Sequence, residues 1–170
     1  YKEPYLPEDT FNLEAEMLAY QWIKAFEDGI EDTEIRPGFI KTAVSPEGLE
    51  PVERKVIKAA ALTSKKTDLT IATHTGCGQS AREVVSILEK EGVSPEKWVF
   101  VHAQNEKDYD ILKELAEKGV WIELDGIGPE SIQEHISPLL YLLEAGLEDK
   151  IMLSQDAGWF EVGEEPGNEK

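Results

Sequence analysis

The chain alternates between short apolar runs and amphipathic helical patterns, and this alternation limits the folds that it can adopt. The apolar runs end near residues 41, 74, 102, 124 and 155. This separation is typical of βα units, whose short right-handed crossovers assemble consecutive strands into a parallel sheet. The sequence therefore predicts an α/β protein with about five parallel strands.

The segments between the apolar runs carry helix signals. Asn12 is predicted to be the N-cap of a first helix that Gly29 closes. Pro51 suits the first turn of the second helix, and Ser80 with Glu83 predicts a capping box at the start of the third. No linker rich in proline, glycine or serine divides the series, so residues 1–170 are expected to form a single domain.

Five parallel strands fit two architectures, and periodicity alone leaves both open. One is an open doubly wound sheet, and the other is five-eighths of a (β/α)8 barrel. The 170 residues of the chain are fewer than the roughly 250 that a complete eight-fold barrel usually takes.

Charge and cysteine content exclude several classes of partner. The formal net charge of −18 at pH 7 repels nucleic-acid backbones and anionic membrane surfaces, so neither is expected as a partner. A lone cysteine excludes an internal disulfide, and no apolar stretch approaches the length of about 20 residues that spans a bilayer. The opening residues lack the pattern of a signal peptide, and we expect a cytoplasmic protein. Because the chain begins with Tyr1 rather than Met, we also expect that an upstream segment was removed or left out.

Four residues of metal-ligand type, Lys41, His74, His102 and Asp156, each follow one of the apolar runs. The C-terminal ends of parallel strands converge on one face, so these side chains can meet there. Two imidazoles and a carboxylate suit a divalent cation. A lysine kept partly neutral by burial and nearby cations can react with carbon dioxide, and the resulting carbamate can bridge two ions. A single histidine after a strand is more often structural, but the four together predict a metallohydrolase.

The residues around these positions form motifs that span almost the whole chain. The motifs are Arg36-Pro-Gly-Phe-Ile-Lys41-Thr-Ala, Thr73-His74-Thr75-Gly76, Val101-His102-Ala103 with Asp108-Tyr109 behind it, Ile122-Glu-Leu-Asp125-Gly126, and Leu153-Ser-Gln-Asp156-Ala-Gly158. In this order they resemble the phosphotriesterase-related family of the amidohydrolase superfamily, whose members are metal-dependent hydrolases built on a (β/α)8 TIM barrel. The resemblance implies that this chain carries strands 4 to 8 of such a barrel.

The resemblance also implies a role for each candidate residue. Lys41 matches the carboxylated lysine of strand 4 that bridges two metal ions, and His74 and His102 match the histidines of strands 5 and 6 that hold the more exposed ion. Asp156 matches the strand 8 aspartate, which binds the more buried ion and accepts a proton from a metal-activated hydroxide. The implied cofactor is a pair of divalent ions, expected to be zinc, with manganese, cobalt or iron as alternatives.

The implied substrates are small-molecule esters, lactones or organophosphates. The loop that follows Asp156 carries Trp159 and Phe160, which are predicted to line an apolar leaving-group pocket. We therefore expect a carboxylic ester or a lactone rather than a phosphotriester.

The sequence departs from the family pattern at one point. The family has a His-x-His pair at the end of strand 1, and this sequence contains none. The remaining histidine, His135, lies in the helical region 131–145, which Pro138 is expected to interrupt, and it is predicted to be a surface residue. A catalytically inactive barrel fragment or remnant is therefore the alternative reading. The open edges of a five-stranded sheet also leave room for a homodimer.

Two further hypotheses are weaker. Cys77 lies between Gly76 and Gly78, but a small buried side chain in a tight loop is favoured over a nucleophile. A flavodoxin-like or Rossmann-like nucleotide-binding domain lacks support, because no Gly-x-Gly-x-x-Gly follows a strand.

Overall fold

The computed structural model describes residues 6–31, 33–128 and 131–157. Helices and strands alternate along these residues, as the apolar runs predict. In chain order the elements are α1 (Glu8–Asn12), α2 (Ala15–Asp28), β1 (Ile40–Ala43), α3 (Pro51–Thr67), β2 (Ile71–His74), α4 (Gly78–Glu91), β3 (Trp98–Val101), α5 (Tyr109–Glu117), β4 (Trp121–Leu124), α6 (Ile132–Glu144) and β5 (Ile151–Leu153). Among the described residues, no helix is long and apolar enough to cross a membrane.

The strands form one parallel sheet in which spatial order equals chain order. Its five strands, counted over the described ranges, are arranged β1-β2-β3-β4-β5. A doubly wound sheet reverses its strand order at a switch point, whereas a (β/α)8 barrel adds each strand beside the last. The observed order therefore favours the part-barrel over the open doubly wound sheet.

The two faces of the sheet differ in character because successive side chains point to opposite sides. Thr42, Thr73, Phe100 and Ile122 lie in register across four strands and are all buried. This face packs against the helices. The opposite face carries Lys41 and, two residues further along the neighbouring strand, His74. The helix-packed face builds the core, and the other face presents the candidate ligands.

The start of α4 differs from its sequence prediction. The helix begins at Gly78 with Cys77 as the N-cap, and Ser80 lies buried inside it. The Ser80 hydroxyl donates to the carbonyl of Ser45 at 2.6 Å and accepts from the Gly48 N–H at 3.1 Å. The predicted Ser80–Glu83 capping box is therefore wrong, because the hydroxyl ties down the loop after β1 instead of capping its own helix.

Helix caps elsewhere show two further differences. Asn12 ends α1, and the N-cap of α2 is Glu14, so the N-cap prediction for Asn12 is wrong. Helix α6 continues through Pro138 although proline cannot donate an intrahelical hydrogen bond. Pro138 lies on the buried face of α6 with Leu142, and this packing offsets the missing hydrogen bond. The predicted interruption at Pro138 is therefore also wrong, whereas Pro51 begins α3 as expected.

Candidate metal centre

The two histidines predicted to bind metal meet at the C-terminal end of the sheet. His74 is the last residue of β2, and His102 directly follows β3. Nδ1 of His74 lies 2.7 Å from Nε2 of His102, and the rings are edge-on with centroids 4.2 Å apart. Facing ring nitrogens of this kind can hold a common cation once the proton between them is displaced.

Asp125 fixes the orientation of the second imidazole. This residue follows β4 and is only 2% exposed. One carboxylate oxygen accepts from the His102 backbone N–H at 2.7 Å, and the other lies 2.5 Å from His102 Nδ1. With Nδ1 donating to Asp125, Nε2 keeps its lone pair toward His74. A carboxylate behind an imidazole is the usual way in which proteins orient a histidine ligand.

Asp156 contributes a second carboxylate beside His102 and Asp125. It lies three residues beyond the end of β5 and is exposed. Ligand atoms of His102, Asp125 and Asp156 all lie within 4.8 Å of one another. The structure therefore brings together Asp156 and His102, two of the residues predicted from the sequence to bind metal.

Lys41 faces the same acidic groups. It lies within β1 rather than beyond it, and its ammonium donates to the carbonyl of Thr42 at 3.2 Å. The side chain as a whole is exposed, but partial burial around the ammonium lowers the pKa of Lys41, while the charges of Asp156, Glu123 and Asp125 oppose that shift. An amine with a lowered pKa is more often neutral, which is the form that reacts with carbon dioxide.

The pKa of His74 is lowered as well, and the causes connect it to the rest of the site. Burial is the largest cause, followed by the positive charges of His102 and Lys41. A lowered pKa favours the neutral imidazole that a metal ion requires. Lys41, His74, His102 and Asp156 thus belong to one electrostatic cluster.

Glu123 is a further acid of this cluster that the sequence interpretation passed over. It lies in β4, is half-buried and accepts from the Ser154 hydroxyl at 3.2 Å. Burial, followed by the charge of Asp125, raises the pKa of this carboxyl. Alternation along the strand could have placed Glu123 on the same face as Asp125, since the two are separated by one residue.

Two of the candidate ligands occupy backbone conformations that residues with a side chain seldom adopt. The φ angles of His102 and Asp156 are +65° and +47°. Non-glycine residues with positive φ cost free energy, and they concentrate at functional sites where the surroundings hold them in place. The turns after β3 and β5 thus each place a candidate ligand at a strained backbone position.

His135 is buried, and the prediction that it lies on the surface is wrong. It is 4% exposed, with Nε2 lying 2.6 Å from the carbonyl oxygen of Asp125 and Nδ1 lying 2.8 Å from that of Ser131. Helix α6 turns the face that carries His135 toward the loop after β4, so the imidazole supports the backbone of Asp125.

Three further residues that the sequence analysis considered, Cys77, Trp159 and Phe160, add no ligand to the described site. Cys77 is half-buried at the N-cap of α4 and makes no side-chain cap hydrogen bond. Trp159 and Phe160 lie outside the described residues, so the apolar pocket that they were predicted to line stays a prediction.

Comparison with known proteins places the chain in a family. Residues 6–166 match the model of the phosphotriesterase family. The chain is 33% identical over 155 residues to an aryldialkylphosphatase of Saccharolobus solfataricus, an alignment that covers 89% of this chain and 49% of that protein.

Solved structures agree with this assignment. The crystal structure of the phosphotriesterase homology protein from Escherichia coli, complexed with phosphate in its active site, matches with a TM-score of 0.84 and 29% identity over 92% of this chain and 55% of that one. A lactonase from Listeria monocytogenes matches with a TM-score of 0.81 and 28% identity over 87% of this chain and 46% of that one. The chain spans about half the length of these relatives.

These matches confirm the predicted α/β fold of TIM-barrel type, with five parallel strands among the described residues. They also confirm the resemblance drawn from the motifs, since the family match runs through every motif that carried it. The chain belongs to the phosphotriesterase family.

Proposed function

We propose that this chain supplies the metal-binding strand ends of a metal-dependent hydrolase that acts on ester bonds, with carboxylic esters or lactones as its substrates. The observation that carries the proposal is the nitrogen-to-nitrogen contact of His74 and His102, backed by the buried carboxylate of Asp125. Converging imidazole nitrogens with a carboxylate behind one ring are an arrangement that proteins commonly use to hold a divalent cation.

The donor set fits a pair of divalent ions. His74 Nδ1 and His102 Nε2 would hold one ion, together with a carbamate formed on Lys41. The same carbamate and Asp156 would hold the second ion, whose remaining ligands would come from residues beyond this chain. Nitrogen and oxygen donors of this kind suit zinc, and manganese, cobalt or iron are also compatible.

The residues of the chain divide the catalytic work among them. Two bound ions would lower the pKa of a water held between them and polarise the electrophilic oxygen of the substrate. Asp156 accepts the proton that the attacking water loses. A carbamate on Lys41 would contribute negative charge toward bound cations, and Asp125 keeps the imidazole of His102 in the tautomer that presents Nε2.

The names of two relatives support ester-type substrates. One relative is named an aryldialkylphosphatase, and one structural neighbour is named a lactonase. We favour a carboxylic ester or lactone for this protein because of the apolar pocket predicted from Trp159 and Phe160. The single cysteine in the sequence leads us to propose a cytoplasmic location as well.

Elemental analysis and a substrate panel test the proposal on the full polypeptide that contains this chain. We expect about two divalent ions per polypeptide and faster hydrolysis of lactones and carboxylic esters than of phosphotriesters. An intact mass of roughly 35–40 kDa fits a complete barrel with its loops. A metal-free monomer of 19.0 kDa without hydrolytic activity would favour the catalytically inactive fragment instead. The same mass measurement under native conditions tests the homodimer.

Replacing Asp125 with alanine is expected to weaken metal binding by about 10- to 100-fold, the usual effect of removing a residue that orients a metal ligand. The substitution frees the His102 imidazole to rotate and to change tautomer. Competition titration with a chelating dye measures the affinity. Asp149→Ala is the matched control, because Asp149 is an exposed aspartate in the short 3-10 turn before β5. Equal affinity in the two variants would contradict the role of Asp125.

A further inference from the structure

We propose that Gln104 is a positioning residue of the metal centre, which acts on His102 through Asp125. The inference rests on the proposed function, since it assigns Gln104 a part in holding the metal ligand. Gln104 contacts Asp125, the residue that orients the His102 imidazole.

The contacts of Gln104 form a clamp on a single residue. Gln104 lies in the 3-10 turn Ala103–Asn105, two residues beyond His102, and is only 9% exposed. Its Nε2 donates to the Asp125 carboxylate at 2.9 Å, and its Oε1 accepts from the Asp125 backbone N–H at 3.2 Å. The one side chain therefore fixes both the backbone and the carboxylate of Asp125.

The clamp works on the same carboxylate oxygen that holds the imidazole. Oδ1 of Asp125 receives both the Gln104 amide and His102 Nδ1. A carboxylate that is 2% exposed needs donors to offset its lost hydration, and losing one of them costs free energy. Without Gln104, the Asp125 carboxylate gains freedom to rotate, and the His102 ring gains freedom with it.

The chemistry of the clamp requires an amide. The Asp125 backbone N–H needs an acceptor, and the Asp125 carboxylate needs a donor, so only a side chain with both groups at its end satisfies them together. A glutamate would set a second carboxylate against that of Asp125 and remove the donor. An asparagine is shorter by one methylene group. Glutamine at position 104 is thus matched to an aspartate at position 125.

Measurement of metal affinity in the full polypeptide tests the inference. Gln104→Met keeps the length of the side chain and removes both hydrogen bonds, and we expect zinc affinity to fall by about tenfold. Asn105→Ala is the matched control, because Asn105 is an exposed residue of the same turn, and its zinc affinity should stay within about twofold of the parent protein. Circular dichroism establishes that each variant is folded before the titration.

A double-mutant cycle shows whether Gln104 acts through Asp125. In an Asp125→Ala background, Gln104→Met should cause no further loss of zinc affinity, because the link is already broken. An additive loss would overturn the inference. So would a Gln104→Met variant that unfolds at a lower temperature but binds zinc as tightly as the parent, since the clamp would then be only structural.

Two further outcomes are distinguishable. If Gln104→Met does not fold, Gln104→Glu replaces it, since the glutamate keeps the acceptor for the Asp125 N–H, and its zinc affinity should fall by more than tenfold. An unchanged affinity in Gln104→Glu would overturn the inference. A parent protein that binds no zinc, manganese, cobalt or iron would overturn the proposed function and the role of Gln104 with it. A parent protein that binds metal and a Gln104 variant that binds equally well would overturn only the latter.

Discussion

Replacing Lys41 with alanine is expected to remove metal binding and hydrolysis together, with hydrolysis falling by at least about a thousandfold, since bound metal ions contribute several kcal/mol to the stabilisation of the transition state. Lys41 lies on the face of the sheet opposite the helix-packed face. Partial burial lowers its pKa there, and the charges of Asp156 and Glu123 act on it in the opposite direction. A carbamate at this position would contribute to the binding of both ions. Its removal therefore affects both sites at once.

The measurement combines elemental analysis with the hydrolysis rate of the full polypeptide. Lys24→Ala is the control, because Lys24 is an exposed lysine that forms an ion pair with Asp28 at 2.8 Å on α2, and its loss should change neither quantity. Incubation with ¹³C-labelled bicarbonate should produce a carbamate signal that is absent from the Lys41→Ala variant. Full retention of metal and hydrolysis in Lys41→Ala would refute the bridging role.

Replacing Trp98 with alanine is expected to lower the free energy of unfolding by about 3–5 kcal/mol, the usual cost of removing a large buried aromatic side chain. Trp98 begins β3, is fully buried and stacks against Phe100 with ring centroids 5.9 Å apart. Its indole N–H also donates to the Thr73 hydroxyl at 2.8 Å. A loss of this size is a large part of the roughly 5–15 kcal/mol that stabilises a typical domain.

Denaturant titration of the full polypeptide measures this loss. Tyr20→Ala is the control, since Tyr20 is an aromatic residue of α2 that is 56% exposed, and its removal should cost less than about 1 kcal/mol. Trp98 lies on the helix-packed face, opposite the face that carries Lys41. Folded Trp98→Ala protein should therefore bind metal as the parent does. A loss of less than 1 kcal/mol would show that the neighbouring side chains refill the cavity.

The order of the elements could be predicted from the sequence because each strand overlaps or directly follows a short apolar run. β3 shows this most clearly, since Trp98–Val101 are all buried and the run has no competing helical period. The predicted ligands also lie where strand-end reasoning places them, although β1 continues past Lys41 to Ala43 and β2 includes His74. Strand ends are set by hydrogen bonds between neighbours, which the apolar pattern does not contain.

The supporting residues of the site could not be predicted in the same way. Asp125, Gln104 and His135 act through partners 10 to 23 residues away in the chain, and no local pattern encodes those pairings. Asp125 lies in the motif Ile122-Glu-Leu-Asp125-Gly126 directly after an apolar run, so the sequence indicates its position at a strand end but not its contacts. The role of the buried Ser80 hydroxyl is hidden from the sequence for the same reason, because its partners Ser45 and Gly48 lie on another loop.

The hydrogen bond from His135 to the Asp125 carbonyl has a consequence for enzyme engineering. It ties helix α6 to the backbone of Asp125, although the helix carries none of the proposed metal ligands. A library that randomises the first turn of α6 to change substrate preference would also loosen the backbone of Asp125, whose carboxylate lies behind His102, whenever position 135 varies. If the proposed metal centre holds, keeping His135 constant should keep such a library among variants that bind metal.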